Sequence, residues 1–195
     1  MGDDFTFQLS GPEKEYLINL ARLSIGRRLQ GSYEESGLPP PPPGRLQEPL
    51  GAFVTLKKQG RLRGCIGRLV GDAPLFLTVS RMALAAAFQD HRFPPLAAGE
   101  FAGLEYEVSV MGPILPCHDP EQVEIGRHGL IMKQGGRQGL LLPQVPVEWK
   151  WNREEFLAQT CVKAGLPPQT WLECWKKNNV ELYWFEALVI EEAAG

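Results

Sequence analysis

The sequence predicts an α+β fold: a mostly antiparallel sheet with flanking helices. Two observations carry this. Strand-like segments come in adjacent pairs joined by short glycine-containing turns: 50–58 with 61–69 around "KQGR", and 129–133 with 139–143 around "QGGRQ". Helical periodicity occurs instead in separate blocks. The strict alternation of strand and helix that a doubly wound sheet needs is missing.

The elements follow in order. Ser10-Gly-Pro-Glu13 reads as a capping box, in which the serine hydroxyl and the glutamate carboxylate satisfy free amides at a helix start. Behind it Tyr16, Leu17, Leu20, Ala21, Ile25 and Leu29 recur at helical spacing, and Gly31 ends the run. Prolines 39 to 43 are unbroken. Lacking amide donors, they favour an extended polyproline conformation and a surface connection, either a stiff spacer or a ligand for a proline-recognising domain. After the first strand pair, Asp72 is expected to cap a helix with Pro74 in its first turn. Its apolar stripe is Phe76, Val79, Met82, Ala83, Ala86 and Ala87, and "RFPPL" stops it. Segment 104–111 alternates, with Leu104, Tyr106, Val108 and Val110 on one face and Glu105, Glu107, Ser109 and Met111 on the other. Asn152 with Glu155 announces a helix ending near Gly165. The last strand, 180–190, is apolar on both faces and reads as central.

The chain has 195 residues, enough for one domain with a sizeable core. The expected division is a helical N-terminus over 10–31, a proline-rich connection over 32–49 and a sheet-and-helix body over 50–190, in a single domain 1–195. A net charge of −3 gives no global attraction to nucleic acid or anionic membrane. Lys57, Lys58, Arg61, Arg63 and Arg68 nonetheless cluster, as a solvated hairpin face or an anion-binding patch. The four cysteines, 65, 117, 161 and 174, lack C-x-x-C spacing, and the three histidines lack H-x-x-x-H spacing. No metal and no cofactor are expected. The acidic start does not resemble a signal peptide, and no apolar run is long enough to span a bilayer. Free thiols in a reducing cytoplasm are the expected setting.

The stretch "GRLRGCIGRL", Gly60 to Leu69, is the most informative. Strand alternation puts Leu62, Gly64 and Ile66 on a core face, and Arg61, Arg63, Cys65 and Gly67 on the other. Gly67 leaves room above the thiol for a ligand or another backbone. A guanidinium at Arg63 on the same face favours thiolate. The alternative is a packed cysteine in a strand with a glycine bulge. Glu105 or Glu107 meets Arg63 if their strand joins the sheet in suitable register. His128, expected in a turn, is a candidate proton carrier or a loop histidine bonded to its own backbone. Gln144, Glu148, Trp149 and Trp151 fall in an irregular segment that lines a pocket or lids a core.

These blocks resemble a known family. "GAFVTLKKQGRLRGCIGRL", "AAAFQDHRFPPL", "LEYEVSVMGPI", "GLLLPQVPVEWKW" and "LYWFEALV", in this order, are similar to the AMMECR domain, whose prokaryotic members are called AmmeMemoRadiSam system protein A. The likeness runs from about Leu9 to Ile190. Where the family shows D-P-R-F, this chain has Asp90-His91-Arg92-Phe93, so His91 is not carried over as a catalytic residue. The proline run is likewise particular to this chain. The resemblance implies two unequal subdomains forming a cleft, and a suspected site at Arg63, Gly64, Cys65, Ile66 and Gly67. It also implies a radical S-adenosylmethionine enzyme and a Memo-type protein as partners. It attaches no reaction.

Three functional classes stay open. In the first, Cys65 is the nucleophile or redox thiol, Arg63 binds an anion or activates the thiol, and Glu107 or His128 moves protons, with Gly64, Ile66, Gly67 and Gln144 shaping the site. In the second, the Arg-Gly-Cys-Ile-Gly hairpin is a non-catalytic surface for a partner. In the third, the cluster from Lys57 to Arg68 binds RNA or a nucleotide, against the acidic balance and without a phosphate loop.

Overall fold

The computed structural model describes residues 7–173 and 179–192. They divide into two compact units. One comprises Phe7–Met111 with the chain from Leu188 onward; the other runs from Gly112 to Ala187. The predicted α+β class and its antiparallel sheets are found.

The first unit opens with α1 (Gly11–Leu29). The Glu13 carboxylate accepts the Ser10 amide at 2.8 Å and the Ser10 hydroxyl at 2.7 Å. The expected capping box is present, and the serine hydroxyl also donates to the acid. Glu13 also accepts the Arg45 amide at 2.6 Å, which ties down the far end of the proline segment. Tyr16 holds the near end, its hydroxyl donating to the Pro39 carbonyl at 2.7 Å. Residues 39–42 between them belong to no helix or strand, as prolines without amide donors favour.

Strands β1 (Leu50–Lys58) and β2 (Arg61–Val70) form the expected hairpin. Helix α2 (Leu75–Phe88) follows, with Pro74 at its N-cap. Asp72 does not cap it; its carboxylate pairs with Arg68 at 2.5 Å. Strand β3 (Leu104–Met111) lies antiparallel along β1 and gives the order β2-β1-β3. Helix α2 packs on β1 and β2, and α1 packs on α2 and β3. Ala52, Val54, Leu56, Val108 and Val110 are fully buried along the shared strand face, because alternation sends all of them the same way.

The second unit holds β4 (Leu115–Pro116), β5 (His128–Gln134), β6 (Arg137–Leu141) and the first part of β7 (Val180–Glu191). Here β7 pairs with β4 and β5, which makes it interior, and β5 pairs with β6. The segment read as irregular contains a short helix, α3 (Gln144–Glu148). Helix α4 (Arg153–Lys163) has the predicted Asn152 cap, whose side chain accepts the Glu155 amide at 2.9 Å. Phe156, Leu157 and Cys161 on α4 pack with Leu130, Met132 and Leu182 into this unit's core. Cys174 lies outside the described residues. No helix among those described is long and apolar enough to cross a membrane.

Candidate functional site

The Arg-Gly-Cys-Ile-Gly block lies in β2, and one irregularity decides where its side chains go. Leu56 pairs with Gly64, but the next residue of β1, Lys57, pairs with Leu62. Arg63 is therefore the extra residue of a β-bulge, and alternation reverses there. Leu62, expected in the core, is 45% exposed. Arg63, expected beside the thiol in solvent, is buried. Its guanidinium grips Glu100 with Nε at 2.9 Å and Nη2 at 3.0 Å, donates to the Pro94 carbonyl at 3.0 Å and packs over the Phe93 ring. This bond, with an amide from Ala97, holds the Glu100 carboxyl down to about 2. Arg63 is thus committed to an ion pair that locks the hairpin to the segment after α2.

Beyond the bulge the expected facing is observed. Cys65 pairs with Thr55, which pairs in turn with Glu107. Directly opposed residues project from the same face, so the three form a row across β2, β1 and β3. The Thr55 hydroxyl donates to Cys65 Sγ at 3.3 Å. Glu107 accepts Lys57 Nζ at 2.7 Å; it does not meet Arg63. Glu105 accepts the Gly60 amide at 3.0 Å and closes the hairpin turn.

The two glycines explain themselves. A methyl on Gly64 would overlap the Ala86 carbonyl of α2, so this position lets helix and strand backbones touch. A methyl on Gly67 would overlap the Phe53 ring, which lies across it. The space reserved above Gly67 in the sequence reading is filled by that ring. Ile66, between them, pairs with Val54 on the buried side.

Two residues of the site went unselected in the sequence: Asp90 and Arg92. The Asp90 side chain is nearly fully buried. It accepts the Cys65 amide at 2.9 Å, the Arg92 amide at 3.2 Å, and Arg92 Nε and Nη2 at 2.9 and 2.7 Å. Those bonds, the Arg92 side chain first, outweigh burial and drive its carboxyl far below the usual range. Arg92 Nη2 also donates to the Cys65 carbonyl at 3.2 Å. The guanidinium beside Cys65 is therefore that of Arg92. The signal was present in "DHRF": an acid and a base two residues apart after a helix, on either side of the histidine that departs from the family pattern.

Among the described cysteines, Cys117 and Cys161 are buried and Cys65 is partly exposed. Burial pushes both buried thiols up to about 11. The basic cluster is largely neutralised: Lys57 on Glu107, Lys58 at 3.9 Å from Glu100, Arg63 on Glu100 and Arg68 on Asp72. Among the described residues, no cluster of three or more His, Cys, Asp or Glu side chains is placed to hold a metal.

His128 and Gln144 belong to the second unit. His128 begins β5, is buried, and sits 4.6 Å from the Trp184 ring. It was expected in a turn. Its Nδ1 accepts the Glu124 amide at 3.0 Å, which fixes a neutral ring with the proton on Nε2. Burial first, then the Arg127 charge, keep its pKa below the ordinary value. Among the described residues, Gln144 Oε1 is buried without a hydrogen-bond partner. Trp149 and Trp151 stack at 5.9 Å, with Trp149 largely exposed.

Comparison with known proteins identifies the family. The AMMECR1 family model matches residues 18–190. Protein PH0010 of Pyrococcus horikoshii is 41% identical over 196 residues, covering 95% of this chain and 93% of the relative. Protein MK0488 of Methanopyrus kandleri is 44% identical over 203 residues, covering 98% and 92%. The crystal structure of PH0010 superposes with a TM-score of 0.81 at 40% identity, over 96% of this chain and 95% of that one. The chain belongs to the AMMECR1 family.

Proposed function

We propose that this protein is a thiol-dependent enzyme in which Cys65 is the nucleophile. One observation carries the reading: the partly exposed cysteine is also the one whose sulfur accepts a hydroxyl and whose backbone is fixed on both sides. Its amide donates to Asp90 and its carbonyl accepts from Arg92, so the Cα–Cβ direction is held. A donor aimed at sulfur stabilises the thiolate more than the thiol. Arg92 adds positive charge at the same residue. Glu107, opposite Thr55 in the row and paired with Lys57, is the carboxylate that the register brings nearest to the thiol for proton transfer. Arg63 drops out of the catalytic set and becomes its structural anchor.

The test is peptide-mapped alkylation by iodoacetamide near neutral pH, on the wild type and on Thr55→Val. The reading predicts that Cys65 carries the label first and that Thr55→Val slows it about three- to tenfold, the worth of one hydrogen bond. Equal labelling of Cys65 in the two proteins contradicts the assigned role of Thr55. Labelling of Cys117 ahead of Cys65 removes the thiol reading. The partner-surface alternative would be left standing.

A further inference from the structure

We propose that the electrophile attacked by Cys65 carries an oxyanion, and that Arg92 binds it; this rests on the thiol reading above. Arg92 is 47% exposed at its side chain, while the Asp90 it grips is 2% exposed. Nε and Nη2 are consumed by Asp90 and the Cys65 carbonyl. Nη1 has no hydrogen-bond partner among the described residues, and its two N–H groups are the open end of a guanidinium clamped in place. The clamp removes rotamer freedom before any ligand arrives, so less ordering is lost when one binds. The Phe93 ring, 5.5 Å from the Arg92 guanidinium carbon, backs it on another side.

A structural role alone explains less. Arg63 shows what that role looks like here: the same bonds, Nε and Nη2 on one carboxylate and Nη2 on a backbone carbonyl, but with the side chain buried. Arg92 repeats the fork on Asp90 but keeps its outer edge in solvent, beside the sulfur-bearing residue. The other cation on the thiol's strand face, Lys57, is paired with Glu107 and offers no comparable free donor. A single outward nitrogen suits a small carboxylate or a similar oxyanion held by one edge.

The probe pair is iodoacetate and iodoacetamide. With either reagent the Cys65 thiolate supplies the electron pair for the new C–S bond, the C–I bond breaks, iodide leaves with its pair, and the thiol proton passes to solvent. Only iodoacetate has a carboxylate. The quantity read is the ratio of the two rates at Cys65, divided by the same ratio for glutathione at the same pH and salt. The proposal predicts a quotient of about three to ten at low salt, falling toward one at 1 M salt as the charge is screened. Arg92→Gln brings it to one, and Arg92→Lys, which keeps the charge, leaves it above one. A wild-type quotient of one or less overturns the proposal, and so does an undiminished quotient in Arg92→Gln. Fast iodoacetamide labelling with a quotient of one leaves the thiol reading intact and removes only the oxyanion. Failure of Cys65 to react with iodoacetamide removes both. Should Arg92→Gln unfold, the wild-type salt dependence and Arg92→Lys decide.

Discussion

At the scale of single residues, the site turns on which arginine serves the thiol. Two arginines grip carboxylates by the same fork, and only burial and the neighbouring backbone separate their roles. Arg63 is inside, on Glu100. Removing one partner of such a pair leaves the other charge poorly solvated, so Arg63→Met should cost about 2–4 kcal/mol. The same variant should leave the Cys65 alkylation rate within about twofold, since the guanidinium is turned toward Glu100 and Pro94. Urea melts and peptide-mapped labelling on one preparation check both halves. A tenfold loss of Cys65 reactivity with unchanged stability would return Arg63 to the site.

At the scale of elements, the hairpin of β1 and β2 carries the site through one bulge and two close approaches. Gly64→Ala puts a methyl into the Ala86 carbonyl, which cannot move without moving α2, so the expected loss is about 3 kcal/mol or failure to fold. Gly67→Ala meets Phe53 at its Cγ and Cδ1 and also at its backbone Cα, 2.6 Å away, so turning the ring does not relieve it and the expected loss is also about 3 kcal/mol. A wild-type denaturation midpoint for either variant would contradict these close approaches. Most elements were legible in the sequence because period and caps are local: α1, the two hairpins, the Asn152 cap and the alternation in the first half of β3, while Ser109 and Met111, expected on its polar face, are buried. The bulge was not, since a two-for-one pairing depends on the partner strand, and it moved Leu62 and Arg63 from their expected faces. Cys65 and Glu107, beyond the bulge, kept theirs. Asp90 and Arg92 gain their meaning from a contact across 25 residues of chain, between Cys65 and Asp90, that no local pattern encodes.

At the scale of the whole molecule, buried and bonded titrating groups shape stability against pH. His128 has a depressed pKa against a reference of 6.5, so below about 6.5 the unfolded chain takes up a proton that the folded chain refuses. Glu13 is also depressed: burial raises its pKa, but the bonds from Ser10 and Arg45 prevail. With Glu100 and Asp90 it contributes stability that is present above the ordinary carboxylate range and lost as pH falls through the lower folded values. Cys117, Cys161 and Tyr106 are raised, to about 11, 11 and 12, chiefly by burial, so their contribution is lost on the alkaline side. The melting temperature should be flat from about pH 7 to 9. It should begin to fall below 6.5, steepen below 4.5, and fall again above 9. A maximum near pH 5 would contradict the placement of His128 as a buried neutral ring.

The proposed function rests on the Cys65 sulfur, set in a row with Thr55 and Glu107, being the nucleophile. The most direct measurement lets the native protein compete with glutathione for a limiting amount of iodoacetamide at neutral pH, with the label located by mass spectrometry. Cys65 is expected to outpace glutathione by at least about tenfold, with Cys117 and Cys161 unlabelled. A Cys65 rate equal to or below that of glutathione would contradict it.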